Sequence, residues 1–151
     1  MVRIVPLAER HREDWERLFA GYAAFYKLAQ TPEMRARVWS WIHDPAREVE
    51  ALAAEAPEEG GHVVGLAHFR AFARPSRAAT GGFLDDLFVD PAFRGGRVAD
   101  ALIERLAEIG RERGWSVVRW ITADDNYRAR GVYDRLAQRT AWITYDIGIG
   151  G

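Results

Sequence analysis

Residues 84–107 read LDDLFVDPAFRGGRVADALIERLA, and the rest of the chain can be placed around them. Leu84 to Val89 is short, apolar and β-prone, with the carboxylates of Asp85 and Asp86 inside it. Asp90-Pro91 ends the strand, because proline cannot donate to a ladder. Arg94-Gly95-Gly96-Arg97 follows, and then Val98, Leu102, Ile103, Leu106 and Ile109 recur at helical spacing. A strand, a glycine loop and a helix in this order form an anion site. The first N–H groups of the helix point outward, and the helix dipole adds positive potential. Arg94 and Arg97 add full charges. The ligand this predicts carries phosphates, as a pyrophosphate does.

Upstream, Val63 to Phe72 predicts a strand, and Ala73 to Gly82, rich in arginine, proline and glycine, predicts a loop. Glu48 to Ala56 is ambiguous. Its alanine, leucine and glutamate favour helix, but its place before Pro57-Glu58-Glu59-Gly60-Gly61 favours a hairpin arm. Val2 to Val5 predicts a first strand. Glu13 to Lys27 predicts an amphipathic helix with Trp15, Leu18, Phe19, Tyr22, Phe25 and Tyr26 on one face. Thr31-Pro32 caps and starts a second helix that Asp44-Pro45 stops. Downstream, Arg113-Gly114 ends the helix of the opening stretch, and Val117 to Thr122 is strongly β. Strand, helix and strand in that order imply a parallel pair joined by a right-handed crossover. Arg128 to Gln138 predicts a last helix. Thr140 to Ile147 alternates Trp142, Thr144 and Asp146 against Ile143, Tyr145 and Ile147, and predicts a closing strand.

The chain has 151 residues, about half of them apolar, which suits one domain, 1–151, with a sizeable core. A net charge of −1 lacks the footprint of a nucleic-acid binder. There is no cysteine, so disulfides, thiolate metal sites and a cysteine nucleophile are excluded. His11, His43, His62 and His68 show no metal spacing, and no metal is expected. Ser40, Ser76 and Ser116 sit in no nucleophile-elbow context. The charged N-terminus is unlike a signal peptide, and no apolar run approaches the roughly 20 residues of a membrane span. A cytoplasmic protein with no membrane partner is the expectation.

Two motifs carry a resemblance. Val89-x-Pro91-x-x-Arg94-Gly95-Gly96-Arg97-Val98-Ala99 resembles the acetyl-CoA loop of the GCN5-related N-acetyltransferases, with Arg97 standing where that family normally has glycine. Asn126-x-x-Ala129-x-x-x-Tyr133 resembles a second motif of the same family, in the right order and spacing. The resemblance covers nearly the whole chain. It implies an α/β fold with a mixed, mostly antiparallel sheet, a central parallel strand pair splayed around the acetyl-CoA site, and about four helices. The family's meander favours the strand reading of Glu48 to Ala56.

The resemblance also implies roles. Arg94, Gly95, Gly96, Arg97, Val98 and Ala99 would hold the pyrophosphate. The backbone of Leu87, Phe88 and Val89, at a strand bulge, would hold the pantetheine arm and face the thioester oxygen. Asn126 would bond a pantetheine amide, and Ala129 would leave room for the ligand. Tyr133 would protonate the departing thiolate, since a phenol of pKa about 10 is protonated at neutral pH. Asp85 maps to the acid implicated as base in polyamine acetyltransferases. By alternation Asp85 and Asp86 point to opposite faces of a strand, so only one of them faces a given cleft. Asp85, Asp86 or water alone remain open as the proton acceptor. Tyr22, Tyr26 and Trp39 lie on helices that wall the acceptor pocket in this family. The acceptor implied is a small cationic primary amine that attacks directly in a ternary complex, and a homodimer is common. A non-catalytic acyl-CoA-binding domain and a protein N-terminal acetyltransferase are the alternatives.

Overall fold

The computed structural model describes residues 1–150. It contains one five-stranded mixed sheet and four α-helices. The strands are β1 (Arg3–Pro6), β2 (Val49–Ala56), β3 (His62–Arg74), β4 (Ala79–Val89) and β5 (Val118–Arg119), and they lie side by side in that order. The first three pairings are antiparallel and β4–β5 is parallel. The helices are α1 (Arg12–Phe25), α2 (Pro32–Ile42), α3 (Val98–Arg113) and α4 (Tyr127–Leu136). The chain divides into two compact units, Met1–Ile121 and a smaller one that starts at Thr122.

In the first unit, helix packing covers both faces of the sheet. Trp15, Leu18 and Phe19 of α1 and Trp39 of α2 cluster with Ala51, Ala53, Val63, Leu66 and Phe88 of the sheet. The Thr31 Oγ1 accepts the Met34 N–H at 3.2 Å and starts α2. Val98, Leu102, Leu106 and Ile109 form the buried side of α3. Gly65 lets α3 approach, because a Cβ there would meet Val98 Cγ1 at 2.9 Å and Leu102 Cδ1 at 3.3 Å. The segment 48–56 is a strand, and its helix-favouring alanines are overridden by position. β2 lies between β1 and β3 with Ala51 to Ala56 all buried, where small residues suit a strand covered on both faces.

Three sequence expectations are corrected. The loop expected over Ala73 to Gly82 is mostly ladder: Phe72, Ala73 and Arg74 pair with Gly81, Thr80 and Ala79, and the turn closes through Pro75–Arg77 with Ala78 at φ 50°. Proline and arginine at the tip concealed a long hairpin. The strand expected over Val117 to Thr122 is reduced to two rungs, Gly82↔Val118 and Phe83↔Arg119. Among the described residues no strand forms over Thr140 to Ile147, and Trp142, Ile143, Tyr145 and Ile147 are exposed. Alternation marks residues that suit a pleated surface, but a strand exists only where a ladder supplies its hydrogen bonds.

Candidate active site

The short β4–β5 ladder sets up the site. Beyond Phe83, among the described residues, β4 keeps β3 on one side and has no strand on the other. The Asp90 N–H donates to the Val64 carbonyl at 2.8 Å, so its neighbours alternate from there. Leu87 and Val89 therefore turn their backbone groups to the side without a strand. An amide-bearing chain can add along such an edge.

The bulge is elsewhere than expected. Leu87, Phe88 and Val89 pair regularly with Ala67, Leu66 and Gly65. The irregularity falls between His68↔Asp86 and Phe69↔Leu84, which makes Asp85 the extra residue. This overturns the expectation that Asp85 and Asp86 face opposite ways. Phe83 and Asp85 share a face by alternation, and the extra residue returns Asp86 to that same face. Leu84 and Leu87 take the other face. Both carboxylates thus lie on the side that α1 covers.

Each carboxylate has its own partner there. The Arg70 Nε–H lies 3.2 Å from both oxygens of Asp85, and its guanidinium stacks over the Phe83 ring. Partial burial pushes the Asp85 carboxyl above the usual carboxylate range, and the nearby Asp86 charge adds to this against the pull of Arg70. Asp86 Oδ2 is 2.8 Å from Nδ1 of His68, and the Tyr22 hydroxyl also bonds the carboxylate. Burial pushes Asp86 up, but the bonds from His68 and Tyr22 outweigh it and hold the carboxyl below its ordinary value. His68 in turn accepts the Trp15 indole N–H at 2.9 Å. Tyr22 packs against Tyr26 at 4.8 Å between ring centroids and edge-on to Phe88 at 6.1 Å. Sequence spacing did not single out Trp15, His68 or Arg70. His68 and Asp86 are 18 residues apart and meet only as a cross-strand pair.

The glycine loop opens α3 as expected. Gly95 has φ 86°, and a Cβ there would meet nothing within 4 Å. Arg97 is the N-cap at φ 66°. The Ala101 N–H makes the first intrahelical bond, to the Arg97 carbonyl, so the N–H groups before it have no acceptor within the helix. Arg97 is left-handed, which explains why glycine is usual at this position. Its side chain reaches Asp100 at 3.3 Å and is largely exposed. The Arg94 guanidinium lies over the rings of Phe25 and Phe88, at 5.3 and 5.6 Å. Val98 is buried under the sheet and Ala99 is half-buried. An unobstructed glycine turn, a helix start and two arginines fit a diphosphate, and the strand-free edge of β4 fits an amide-bearing arm.

In the second unit, Asn126 caps α4, its Oδ1 accepting the Ala129 N–H at 3.3 Å. The Arg130 guanidinium donates to the Asp124 carbonyl and lies over the Tyr127 ring. Tyr133 is half-buried in the same helix.

The family model described as the Acetyltransferase (GNAT) family matches residues 11–137. The chain belongs to this family. Among GNAT relatives, the D-amino-acid N-acetyltransferase of Saccharomyces cerevisiae is 28% identical over 143 residues, 94% of this chain and 88% of that protein. The thialysine N-epsilon-acetyltransferase of Bos taurus is 30% identical over 87 residues, 58% of this chain and 51% of that protein. The crystal structure of a ribosomal-protein-alanine N-acetyltransferase from Brucella melitensis superposes with a TM-score of 0.81 at 27% identity, covering 99% of each chain. The protein is therefore a GNAT enzyme, an acetyl-CoA-dependent N-acetyltransferase.

Proposed function

We propose that this N-acetyltransferase acts on the primary amine of a small cationic acceptor, by direct attack in a ternary complex. The observation that carries this reading is the bulge at Asp85, which sets two carboxylates on one face beside Tyr22. Two acids on one surface attract an acceptor with more than one positive charge, and a nearby base must take a proton from the attacking amine.

In this reading acetyl-CoA supplies the activated acetyl group. Arg94, Arg97, Gly95, Gly96 and the first turn of α3 from Val98 to Ala99 hold its diphosphate, and the open edge of β4 at Leu87 to Val89 holds its arm. The family resemblance assigns Asn126 and Ala129, at the start of α4, to acetyl-CoA. Asp85 accepts the proton of the attacking amine, directly or through water, and its raised pKa brings it nearer to the acceptor's own range. Asp86, with Tyr22 and Tyr26, receives the second positive charge. Tyr133 gives a proton to the departing thiolate.

A second reading has an α-amino acid as acceptor. Arg70 favours it, lying on the same face as the two acids and able to take a carboxylate. The name of the yeast relative points the same way. Acceptor-dependent thiol release with spermidine, lysine, an aminoglycoside, D- and L-amino acids and a peptide N-terminus tests both. Highest kcat/KM on amines with two or more positive charges supports the first. Exclusive turnover of amino acids or peptide termini overturns it.

A further inference from the structure

We propose that His68 is a positioning residue for acetyl transfer, a neutral imidazole with its proton on Nδ1 that fixes Asp86 as an ionised seat for the acceptor's ammonium group. The proposal rests on the cationic-acceptor reading above. His68 is 1% exposed, which is unusual for a polar side chain of its size.

The indole nitrogen of Trp15 can only donate. At 2.9 Å from it, Nε2 of His68 must therefore accept and carries no proton. A neutral imidazole then has its one proton on Nδ1, which points at Asp86 Oδ2 at 2.8 Å. Protonating Nε2 would set N–H against N–H in a buried place, which costs the lost bond and a poorly solvated charge. Trp15 is held in turn. It is fully buried, with its ring against Phe19 at 5.3 Å and Trp39 at 5.1 Å between centroids.

From α1, Trp15, Phe19 and Tyr22 face this network, and Phe19 meets the His68 ring edge-on at 4.7 Å. From β2, Ala51 is the residue opposite His68. From β4 come Asp86 and, beside it, Asp85 with its Arg70 partner from β3. From α2, Trp39 stands behind Trp15, with the Arg12 guanidinium over its ring. The charges closest to His68 are thus the two acids of the acceptor face, and Arg70 is already engaged by one of them. One oxygen of Asp86 is taken by His68, and the carboxylate remains about one-fifth exposed on the face shared with Tyr22. A group serving packing alone needs no such chain of directed bonds, since apolar residues of similar volume fill a core as well.

The direct test is nitrogen-15 NMR of the histidine ring in the intact protein at pH 7, which distinguishes the two tautomers. The expected result is the Nδ1–H tautomer. An Nε2–H tautomer, or an imidazolium near pH 7, overturns the proposal whatever the acceptor proves to be. Trp15→Phe removes the donor and keeps an aromatic ring. The preference for the Nδ1–H tautomer should then weaken, because nothing holds Nε2 as an acceptor. His68→Asn keeps a donor at the place of Nδ1, whereas His68→Phe does not. The phenylalanine variant should raise KM for the dicationic amine about tenfold with kcat little changed, and the asparagine variant should recover most of it. Equal KM for both variants and the unmodified enzyme overturns the proposal. Failure of the cationic-acceptor reading shows itself separately, as absence of turnover of cationic amines by the unmodified enzyme.

Discussion

His11 Nε2 lies 2.7 Å from Glu55 Oε2, and both side chains are buried at the edge of the sheet. The Ala8 N–H donates to His11 Nδ1 at 2.9 Å, so Nε2 carries the proton that Glu55 receives. Arg3 and Arg10 add bonds to the same carboxylate at 2.8 and 2.9 Å. The pair ties the turn before α1 to the penultimate residue of β2.

That arrangement makes acid lability predictable. The bond from His11, then that from Arg3, holds the Glu55 carboxyl at about 2 against an ordinary 4.5. A depressed carboxylate contributes stability that is fully present above its unfolded pKa and is lost as pH falls through the folded value. The loss should run from about pH 4.5 down to about 2. Thermal melts across that window should show Tm falling with pH, and Glu55→Gln should lower Tm at pH 7 while flattening the fall. An unchanged slope in the variant would remove Glu55 from the account.

Arg97 carries a charge and a backbone geometry that two substitutions separate. Arg97→Ala keeps a Cβ at a left-handed φ and loses the guanidinium, whereas Arg97→Gly relieves the backbone by about 1 kcal/mol and also loses the charge. Both should weaken CoA binding and reduce its dependence on salt, as measured by calorimetry at several ionic strengths. Glycine should melt at the higher temperature of the two. CoA affinity equal to that of the unmodified enzyme at all salt concentrations would show that Arg97 does not meet phosphate.

Asp85→Asn should lower kcat/KM most near neutral pH and recover in part at high pH, where free amine is abundant. Burial raises the Asp85 pKa, so the unmodified enzyme should lose activity on the acid side earlier than an ordinary carboxylate would dictate. The variant should lack that limb. A pH profile of kcat/KM with the limb intact in Asp85→Asn would assign it to another group.

Tyr133→Phe removes the phenol and keeps the ring. With chemistry rate-limiting, kcat should drop about 10²–10⁴-fold while CoA affinity is unchanged, as read by stopped-flow thiol release and by calorimetry. A variant with full kcat would leave Tyr133 a packing residue.

Much of this was legible in the sequence because local signals agreed with one another. Asp90-Pro91, the two glycines and the apolar repeat from Val98 to Ile109 place the end of β4, the loop and α3, whereas the start of β4 at Ala79 was missed. The helices of the first unit follow from the aromatic stripe and the Thr31-Pro32 cap. What could not be read depends on partners distant in sequence. Alternation within LDDLFV cannot show a bulge, because the extra residue is defined by the register against His68 and Phe69 on β3. The Trp15–His68–Asp86 chain joins α1, β3 and β4, and no spacing encodes it. Val117 to Thr122 has the composition of a longer strand, but β4 gives it only two rungs.

The bulge at Asp85 has a bearing on how specificity in this fold can change. Leu84 and Leu87 both turn away from the acceptor face, and between them stand two residues where strict alternation allows one turned inward at most. The pairing of acids is thus a matter of parity. Removing a single residue at this place would restore an even ladder and leave one carboxylate in position of two, with the sheet otherwise intact. A length change of one, invisible to any comparison of residue types, would convert a face suited to two positive charges into a face suited to one.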